Sequence, residues 1–360
     1  MKFLTSNFPP LVTTNSTYVE RWTELFNRSE TINIAVGYAS NDSLLYLKKV
    51  VELNAPKKLN LCLGMARFEG LSSSQLSAAS DLNEFLKTSN AGQVFISNQF
   101  PFHGKVQTFR HGNILTAGLV GSSNLSNIVP QIGLSRGNYE VDLLIEENAA
   151  IRELDTFICS LLFEASVPLD ESTNIRIRTD PNHLMESRFE VGLVSEIDKD
   201  SIWQMVTRDV FRIPIKTELK SNLNTFFGKG RENSQGFVKP RHWYEAEIIV
   251  GLEVQRSARN YPANKEFIVY TDDGYKFVMK TQGSHAKNLR SREDLTVLGR
   301  WLKGRLENAG ALTSGKLVTE EVLALYGRNS MTLTRTSERE LDEVTNRILE
   351  VWTIDFGIQQ

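Results

Sequence analysis

The 360-residue chain is long enough for two domains that each bury a core. Hydrophobic residues make up 41% of it, but no apolar run approaches the roughly 20 residues of a membrane span, and two cysteines are too few for a disulfide framework. Although the formal net charge is -2, residues 213–305 contain 17 Lys and Arg against 10 Asp and Glu, an excess that fits either a solvated basic face or a surface that binds nucleic acid.

The N-terminus shows neither the basic region nor the continuous apolar region of a secretory signal. Together with the absence of an apolar run of membrane-spanning length, this predicts a cytoplasmic protein that does not act at a membrane.

The first half of the chain alternates strands and helices. Hydrophobic periodicity predicts strands at 31–38, 59–64, 92–96, 105–109, 114–120 and 140–146. It predicts helices at 43–53 and 72–87. This alternation is typical of an α/β layered domain, which we place at residues 1–178 with a sheet of at least six strands.

The second half is richer in turns, beginning with the turn signal Asp180-Pro181-Asn182. Strands are predicted at 246–254, 265–271 and 275–279, the last two joined across Asp272-Asp273-Gly274. Helical spacing occurs at 295–306 and 337–352. We therefore predict a second domain at 179–360, a β-barrel with flanking helices.

Candidate catalytic residues cluster around three predicted strands. His103-Gly104-Lys105 stands at the entrance of one strand, Gly121-Ser122-Ser123-Asn124 follows the next, and Glu140 begins a third. Phosphodiester cleavage without a metal requires a nucleophile, a cation, hydrogen-bond donors for the phosphoryl oxygens, and a carboxylate that orients the imidazole. These roles would be filled in turn by His103, Lys105, Ser122 with Asn124, and Glu140.

H-x-K followed by G-S-x-N resembles the half-motif of the phospholipase D superfamily. The commonest pattern of that superfamily has Asp five residues after the Lys, where this chain has Arg110, a departure that is known in its nuclease branches. The resemblance implies an active site made of two half-motifs, in which one histidine forms a phosphohistidine and the other protonates the leaving oxygen. Because one complete half-motif is present, we expect a homodimer with His103 of each subunit at the two-fold axis.

The other histidines are weaker candidates. His285-Ala286-Lys287 repeats H-x-K but is followed by no Gly-Ser-x-Asn, which argues against a second catalytic half. His111, in a predicted turn, and His183, in the predicted linker, lack the spacing to other ligands that a metal site requires. We predict no catalytic metal.

Two basic segments, 226–244 and 282–292, are candidate DNA-binding arms. Lysine and arginine can neutralise phosphates, whereas arginine, asparagine and glutamine can read base edges; solvated loops are an equally good interpretation of each segment. The candidate DNA-binding residues are Lys229, Arg231, Asn233, Gln235, Lys239, Arg241, Gln282, His285, Lys287, Asn288 and Arg290.

A phospholipase-D-like half followed by a barrel with two basic arms resembles the restriction endonucleases of the BfiI and NgoFVII type, whose C-terminal domain is similar to the plant B3 fold. The likeness is greatest to the R-protein of NgoAVII-type systems. The resemblance implies that the chain binds double-stranded DNA at a short GC-rich site of the GCSGC kind. It also implies two protein partners, a helicase-like ATPase subunit and a cognate methyltransferase of the same system. The chain has no G-x-x-x-x-G-K-[ST], so ATP and Mg²⁺ would enter only through that ATPase, and no cofactor is expected in this chain.

Two other functions stay open at the level of sequence. One is a phospholipid or other phosphodiester hydrolase on the same scaffold, which Arg110 and the basic segments disfavour. The other is a non-catalytic dimeric DNA-binding protein, which the presence of His103, Lys105, Asn124 and Glu140 disfavours.

Overall fold

The computed structural model describes residues 1–12, 16–54, 57–130, 138–173, 175–178, 185 and 190–358. The chain divides into two compact units. Unit 1 comprises the described residues of 1–130, 137–180 and 229–240, and unit 2 comprises those of 181–228 and 241–360. The residues immediately after the predicted boundary at 178, including the predicted turn 180–182 and His183, lie outside the described residues.

An eight-stranded mixed sheet forms the centre of unit 1, and a short parallel pair, β4 with β10, lies apart from it. In chain order the strands are β1 (Lys2–Thr5), β2 (Thr31–Val36), β3 (Lys58–Leu63), β4 (Leu71–Ser72), β5 (Gly92–Ser97), β6 (Lys105–His111), β7 (Ile114–Gly121), β8 (Val141–Ile145), β9 (Ser166–Pro168) and β10 (Ile177–Arg178). The large sheet has the order β1-β8-β7-β6-β2-β3-β5-β9. All six strands predicted in this half of the sequence are confirmed.

Thr17, Ser40 and Ser72 cap the first turns of three helices of unit 1 with their side chains. The helices of this unit are α1 (Tyr18–Arg28), α2 (Asn41–Leu53), α3 (Ala66–Glu69), α4 (Ser73–Thr88) and α5 (Asn148–Phe163). Thr17 and Ser72 each form a capping box with the residue three positions on, which stabilises the first turns of α1 and α4. Trp22 of α1 donates to the side chain of Gln107 at 2.9 Å, so α1 covers the Gln107 face of the sheet. The predicted helices at 43–53 and 72–87 are confirmed as α2 and α4.

Helix α5 covers only part of the opposite face. One apolar side chain from each of seven strands forms a continuous cross-strand row: Phe95, Cys62, Ala35, Val106, Val120, Leu143 and Phe3. Ile158 and Leu162 of α5 pack on the β5-to-β7 part of this row. Over β8 and β1 the row is open, since Leu143 is 39% exposed and Phe3 is 53% exposed, as is the neighbouring Val141 at 41%. We call Phe3, Val141 and Leu143 the β8–β1 face.

A second mixed sheet forms the core of unit 2. Its strands are β11 (Gly192–Leu193), β12 (Val206–Pro214), β15 (Ile248–Ile249), β16 (Glu266–Thr271), β17 (Tyr275–Gln282), β18 (Asn288–Ser291), β19 (Ser330–Asp342) and β20 (Arg347–Asp355). They pair in the order β12-β19-β20-β16-β17-β18-β15, with β11 beside β17; in the described part of the chain the two end strands do not pair with each other. The predicted β16–β17 hairpin is confirmed.

The helices of unit 2 are α6 (Glu196–Gln204), α7 (Leu252–Gln255), α8 (Thr296–Asn308) and α9 (Glu320–Tyr326). The predicted helix at 295–306 is confirmed as α8. Nowhere in the described ranges is a helix both long and apolar enough to cross a membrane.

The prediction of a helix at 337–352 is wrong. These residues form most of the antiparallel hairpin of β19 and β20, which turns at 343–346, where Asn346 has a φ of 52°. Strand β19 also pairs with β12, and β20 pairs in parallel with β16. Val351, Trp352 and Ile354 are all buried, so β20 is covered on both faces and lacks the alternation that marks a half-exposed strand.

The prediction of a strand at 246–254 is only partly confirmed. Strand β15 is two residues long and pairs with Asn288 and Leu289 of β18. After Gly251 the chain enters the single turn of α7. The apolar run before Gly251 resembles a longer strand, but β18 offers it few ladder positions, so pairing ends early.

A short hairpin from the second half of the sequence is built into unit 1. Its strands are β13 (Arg231–Glu232) and β14 (Val238–Lys239). The side-chain amide of Asn54 accepts from the backbone N–H of Val238 at 2.8 Å and donates to its carbonyl oxygen at 3.0 Å, as a neighbouring strand would. Phe237 is buried, with its ring centroid 6.1 Å from that of Phe26 in α1.

Candidate active site

The topology of the first sheet gathers the candidate catalytic residues at one edge. Strand β2 is antiparallel to β6, β6 to β7, and β7 to β8. In antiparallel neighbours the end of one strand lies beside the start of the next. The residues that follow Val36 and Gly121 therefore lie at the same edge as the residues that precede Lys105 and Val141. These strand ends, which we call the catalytic edge, carry His103, Lys105, Ser122, Asn124 and Glu140.

The ammonium group of Lys105 lies against the imidazole of His103. Nζ is 3.2 Å from each ring nitrogen of His103 and donates to the His103 carbonyl oxygen at 2.7 Å. Lys105 is only 9% exposed, and this burial lowers its pKa, an effect that the negative charge of Glu140 opposes. A cation and a nucleophilic ring nitrogen can therefore contact the same phosphate group.

Glu140 contacts Ser122 rather than the imidazole. Ser122 Oγ donates to Glu140 Oε2 and accepts from the backbone N–H of Val141 at 2.9 Å. The sequence interpretation assigns Glu140 to orientation of His103. Among the described residues of one chain its carboxylate instead holds the loop after β7, and it contributes negative charge near Lys105.

Asn124 is connected to the end of β2. Its Oδ1 accepts from the backbone N–H of Tyr38 at 3.3 Å. The ring of Tyr38 also lies edge-on to His103, with centroids 5.4 Å apart, and its hydroxyl donates to Glu69. Tyr38 thus touches two candidate catalytic residues, although the sequence gives it no motif.

Asp142 is a second residue that sequence interpretation misses. It is buried, and its carboxylate accepts from the backbone N–H of Ser123 at 3.2 Å and from Ser123 Oγ at 2.6 Å. Burial raises the pKa of Asp142, an effect that the two bonds from Ser123 oppose. Gly121 is required beside it, because a Cβ there would lie 2.2 Å from Asp142 Oδ1. The available signal was an acid inside the apolar strand Val141-Asp142-Leu143-Leu144.

Arg110 lies toward the far end of β6 from His103. It forms an ion pair with Asp155 of α5, which also accepts from Thr108 Oγ1 at 2.9 Å. The cation that stands at the usual Asp position of the superfamily pattern therefore joins a helix to the sheet, away from the catalytic edge.

His111 and His183 are the other histidines that sequence interpretation weighs as metal ligands. His111 lies 3.5 Å from Glu30, and His183 is outside the described residues. Throughout the described ranges, no group of three or more His, Cys, Asp and Glu side chains is arranged to hold a metal ion.

Family comparison assigns both units. Residues 16–172 match the NgoFVII restriction endonuclease N-terminal PLD domain. Residues 202–337 match the NgoFVII C-terminal B3-like DNA-binding domain. The chain belongs to the NgoFVII restriction endonuclease family. It is a DNA-cleaving hydrolase, with a PLD domain that contains His103, Lys105 and Asn124 and a B3-like domain that binds DNA.

More distant comparisons add little. No curated protein matches the chain. Among solved structures, the polyphosphate kinase from Porphyromonas gingivalis is similar at 13% identity and a TM-score of 0.31. The similarity covers 58% of this chain and 30% of the kinase chain. A similarity of this size carries no argument about function.

The candidate DNA-binding residues at 282–292 lie in the B3-like domain. Gln282 ends β17 and pairs with Asn288 of β18 across the turn. Ser284, His285 and Lys287 in the turn are exposed. His285 has a positive φ of 58° and a ring nitrogen 3.1 Å from Ser284 Oγ, so this second H-x-K lies in a tight turn instead of at a strand entrance.

The candidates at 229–241 divide between the two units. Asn233 Oδ1 accepts from the backbone N–H groups of Gln235 and Phe237 at 2.9 and 3.0 Å, and so shapes the turn of the β13–β14 hairpin. Arg241 belongs to unit 2 and pairs with Glu245 at 3.0 Å. The candidates in unit 1 are exposed and consist of Lys229, Arg231, Asn233, Gln235 and Lys239.

Proposed function

We propose that this restriction endonuclease cuts DNA through a phosphohistidine on His103, at an active site that two subunits complete, without a catalytic divalent cation. The observation that carries the proposal is the contact of the Lys105 ammonium with the His103 ring, 3.2 Å from both ring nitrogens, at the edge that also holds Asn124. Such a set supplies a nucleophile, a positive charge and an amide donor.

The reaction would proceed in two displacements. A ring nitrogen of His103 attacks phosphorus, forming the P–N bond as the P–O bond to one strand breaks. His103 of the partner subunit protonates the departing oxygen. A water molecule, deprotonated by that second imidazole, then displaces the first histidine and leaves a terminal phosphate. Lys105 and the Asn124 amide group would hold the phosphoryl oxygens in both steps.

A second copy of the chain suits the β8–β1 face. The face is apolar and open to solvent, and it begins at Val141, directly after Glu140 of the catalytic edge. The PLD domain carries one half-motif, so the chemistry needs a second subunit at this edge. A two-fold interface beside the catalytic edge would bury Phe3, Val141 and Leu143 and would also bring the second half-motif to the active site.

The DNA site that the chain recognises and its protein partners are proposed from the family resemblance. We propose that the B3-like domain recognises a short GC-rich site of the GCSGC kind and that a methyltransferase of the same system protects it. A helicase-like ATPase would be the only source of ATP and Mg²⁺ chemistry, since this chain lacks G-x-x-x-x-G-K-[ST] and is proposed to need no cofactor.

Removal of divalent metal ions by a chelator should not lower the rate of phosphodiester hydrolysis. We expect the purified chain to hydrolyse bis(4-nitrophenyl) phosphate and to cut plasmid DNA as fast in EDTA as in Mg²⁺, because Lys105 supplies the positive charge. Any ATPase is omitted, because ATP hydrolysis itself requires Mg²⁺. Hydrolysis of the small diester that occurs only with Mg²⁺ would refute metal independence whether or not a partner is needed for DNA.

Lys287, in the turn between β17 and β18, and Arg290, on β18, should affect DNA binding differently. Lys287→Ala should weaken binding to cognate and scrambled duplexes equally and lower the salt slope by about one, as for loss of a phosphate contact. Arg290→Ala should cost about 1–3 kcal/mol on the cognate duplex and little on the scrambled one. Lys199→Ala is the control, because its ammonium is paired with Glu196 at 2.5 Å. Isotherms at two salt concentrations that match wild type for both variants would make the 282–292 segment solvated surface that does not contact DNA.

A further inference from the structure

Tyr38 occupies the position between the nucleophile and the amide donor. It is the second residue after β2, and its three polar or ring contacts go to three different elements. The backbone N–H reaches Asn124 Oδ1 at 3.3 Å, the ring lies edge-on to His103 at 5.4 Å, and the hydroxyl lies 2.9 Å from both carboxylate oxygens of Glu69. Yet Tyr38 is 38% exposed, so packing in the core does not account for these contacts.

We infer that Tyr38 is a positioning residue, which sets the orientation of both the His103 ring and the Asn124 amide for phosphoryl transfer. The inference rests on the proposed function of His103. Tyr38 does not touch the phosphate; it acts through His103, which attacks phosphorus, and Asn124, which donates a hydrogen bond to a phosphoryl oxygen.

The backbone of Tyr38 selects one orientation of the Asn124 amide. A main-chain N–H can only donate a hydrogen bond, so the Asn124 atom that faces it must be Oδ1. The opposite orientation would place the two donors, Nδ2 and the N–H of Tyr38, against each other. Nδ2, which has no hydrogen-bond partner among the described residues, is therefore kept as a donor for a phosphoryl oxygen.

The side chain of Tyr38 restricts the His103 ring. Gly37 allows the close approach, because a Cβ there would lie 3.1 Å from His103 Cδ2 and 3.2 Å from its Cα. The ring of Tyr38 then contacts the imidazole, which Lys105 contacts as well. An exposed imidazole with these neighbours has fewer rotamers to lose when it attacks phosphorus.

Glu69 of α3 fixes the tyrosine in turn. The hydroxyl donates to this carboxylate, and the bond raises the pKa of Tyr38. Tyr38 and Glu69 therefore stabilise the catalytic edge from the β2 side of β6, whereas Ser122 and Glu140 stabilise it from the β7 side.

The test separates rate from binding. Steady-state hydrolysis of bis(4-nitrophenyl) phosphate by the full chain gives kcat and KM for each variant. Tyr38→Ala should lower kcat by about 10- to 100-fold with KM unchanged, the loss expected when a reacting group is misplaced. Tyr38→Phe keeps the ring and loses the bond to Glu69, so kcat should fall by about 2- to 10-fold, and Glu69→Ala, which leaves the hydroxyl no acceptor there, should behave alike. The variant with both changes should be no slower than Tyr38→Phe alone, because the two remove one contact.

Phe68→Ala is the matched control. Phe68 adjoins Glu69 on α3 and is 42% exposed, close to the 38% of Tyr38. We expect wild-type kcat and KM from it. If Phe68→Ala and Tyr38→Ala both raise KM and leave kcat unchanged, the exposed aromatics bind substrate rings directly, and the positioning role is wrong.

The NMR signal of the His103 ring reports its orientation directly, and His103→Ala serves as the catalytic reference. In protein labelled with ¹³C-histidine, the His103 ring signal, assigned by its loss in His103→Ala, should shift in Tyr38→Ala and stay near its wild-type position in Tyr38→Phe. An unshifted signal together with wild-type kcat in Tyr38→Ala overturns the inference. If His103→Ala itself hydrolyses the diester at the wild-type rate, the proposed function fails instead, which distinguishes the two failures.

Discussion

Replacement of His103 by Ala should abolish DNA cleavage and leave DNA binding unchanged. His103 is the proposed covalent nucleophile, with the Lys105 ammonium 3.2 Å from its ring, so we expect a loss of more than about 10³-fold in rate. Binding should persist because the B3-like domain, residues 202–337, carries it. Plasmid cleavage and a binding isotherm on the same preparation measure both properties.

The control for His103 is another histidine associated with the same strand. His111 ends β6, is exposed and lies 3.5 Å from Glu30, far from the catalytic edge. His111→Ala should therefore cleave DNA at the wild-type rate. Wild-type cleavage by His103→Ala would place the active site elsewhere, and a matching loss in His111→Ala would indicate that general damage to the domain causes both effects.

A negative charge on the β8–β1 face should separate the subunits and remove activity together. Leu143→Glu places an unpaired carboxylate in the proposed interface, and two-fold symmetry places it there twice. Burial of an unpaired charge costs several kcal/mol, so association should weaken by more than about 100-fold. Sedimentation velocity at micromolar concentration should show a monomer, and plasmid cleavage should be lost because each active site then holds one His103.

Ile114→Glu tests whether the position or the charge matters. Ile114 begins β7 at the opposite end of the sheet from the catalytic edge and is 69% exposed. This variant should remain dimeric and active. Leu143 is already 39% exposed in the chain, so its replacement should leave the thermal unfolding of the PLD domain close to wild type. A wild-type protein that sediments as a monomer and still cleaves DNA would contradict the shared active site.

The residues that meet at the catalytic edge could largely be predicted from the sequence. His103 and Lys105 are two residues apart and Asn124 follows the next strand, so the alternation of side chains and the antiparallel pairing suffice to bring them to one edge. Family comparison then assigns a restriction endonuclease PLD domain to residues 16–172. The catalytic role of each residue stays a prediction until the variants above are measured.

The residues that hold the catalytic edge in place could not be predicted from the sequence. Tyr38, Glu69 and Asp142 belong to no motif, and their partners lie far along the chain: Tyr38 meets Asn124, and Asp142 meets Ser123. Glu140 was assigned to His103 because its residue type fits that role, but its carboxylate contacts Ser122. A residue type indicates what a side chain can bind, whereas the path of the loops determines which partner is within reach.

The sequence by itself determined the α/β alternation of the PLD domain, the placement of the H-x-K and G-S-x-N motifs at strand ends, and the hairpin at Asp272-Asp273-Gly274. Helix caps, tight turns and strand alternation depend on residues that are close in the chain. Tertiary structure alone decided that residues 337–352 form strands between β12 and β16, and that 229–240 joins unit 1 through Asn54. Strand pairing and hairpin docking depend on hydrogen-bond partners that are distant in sequence, and local periodicity carries no record of where those partners lie.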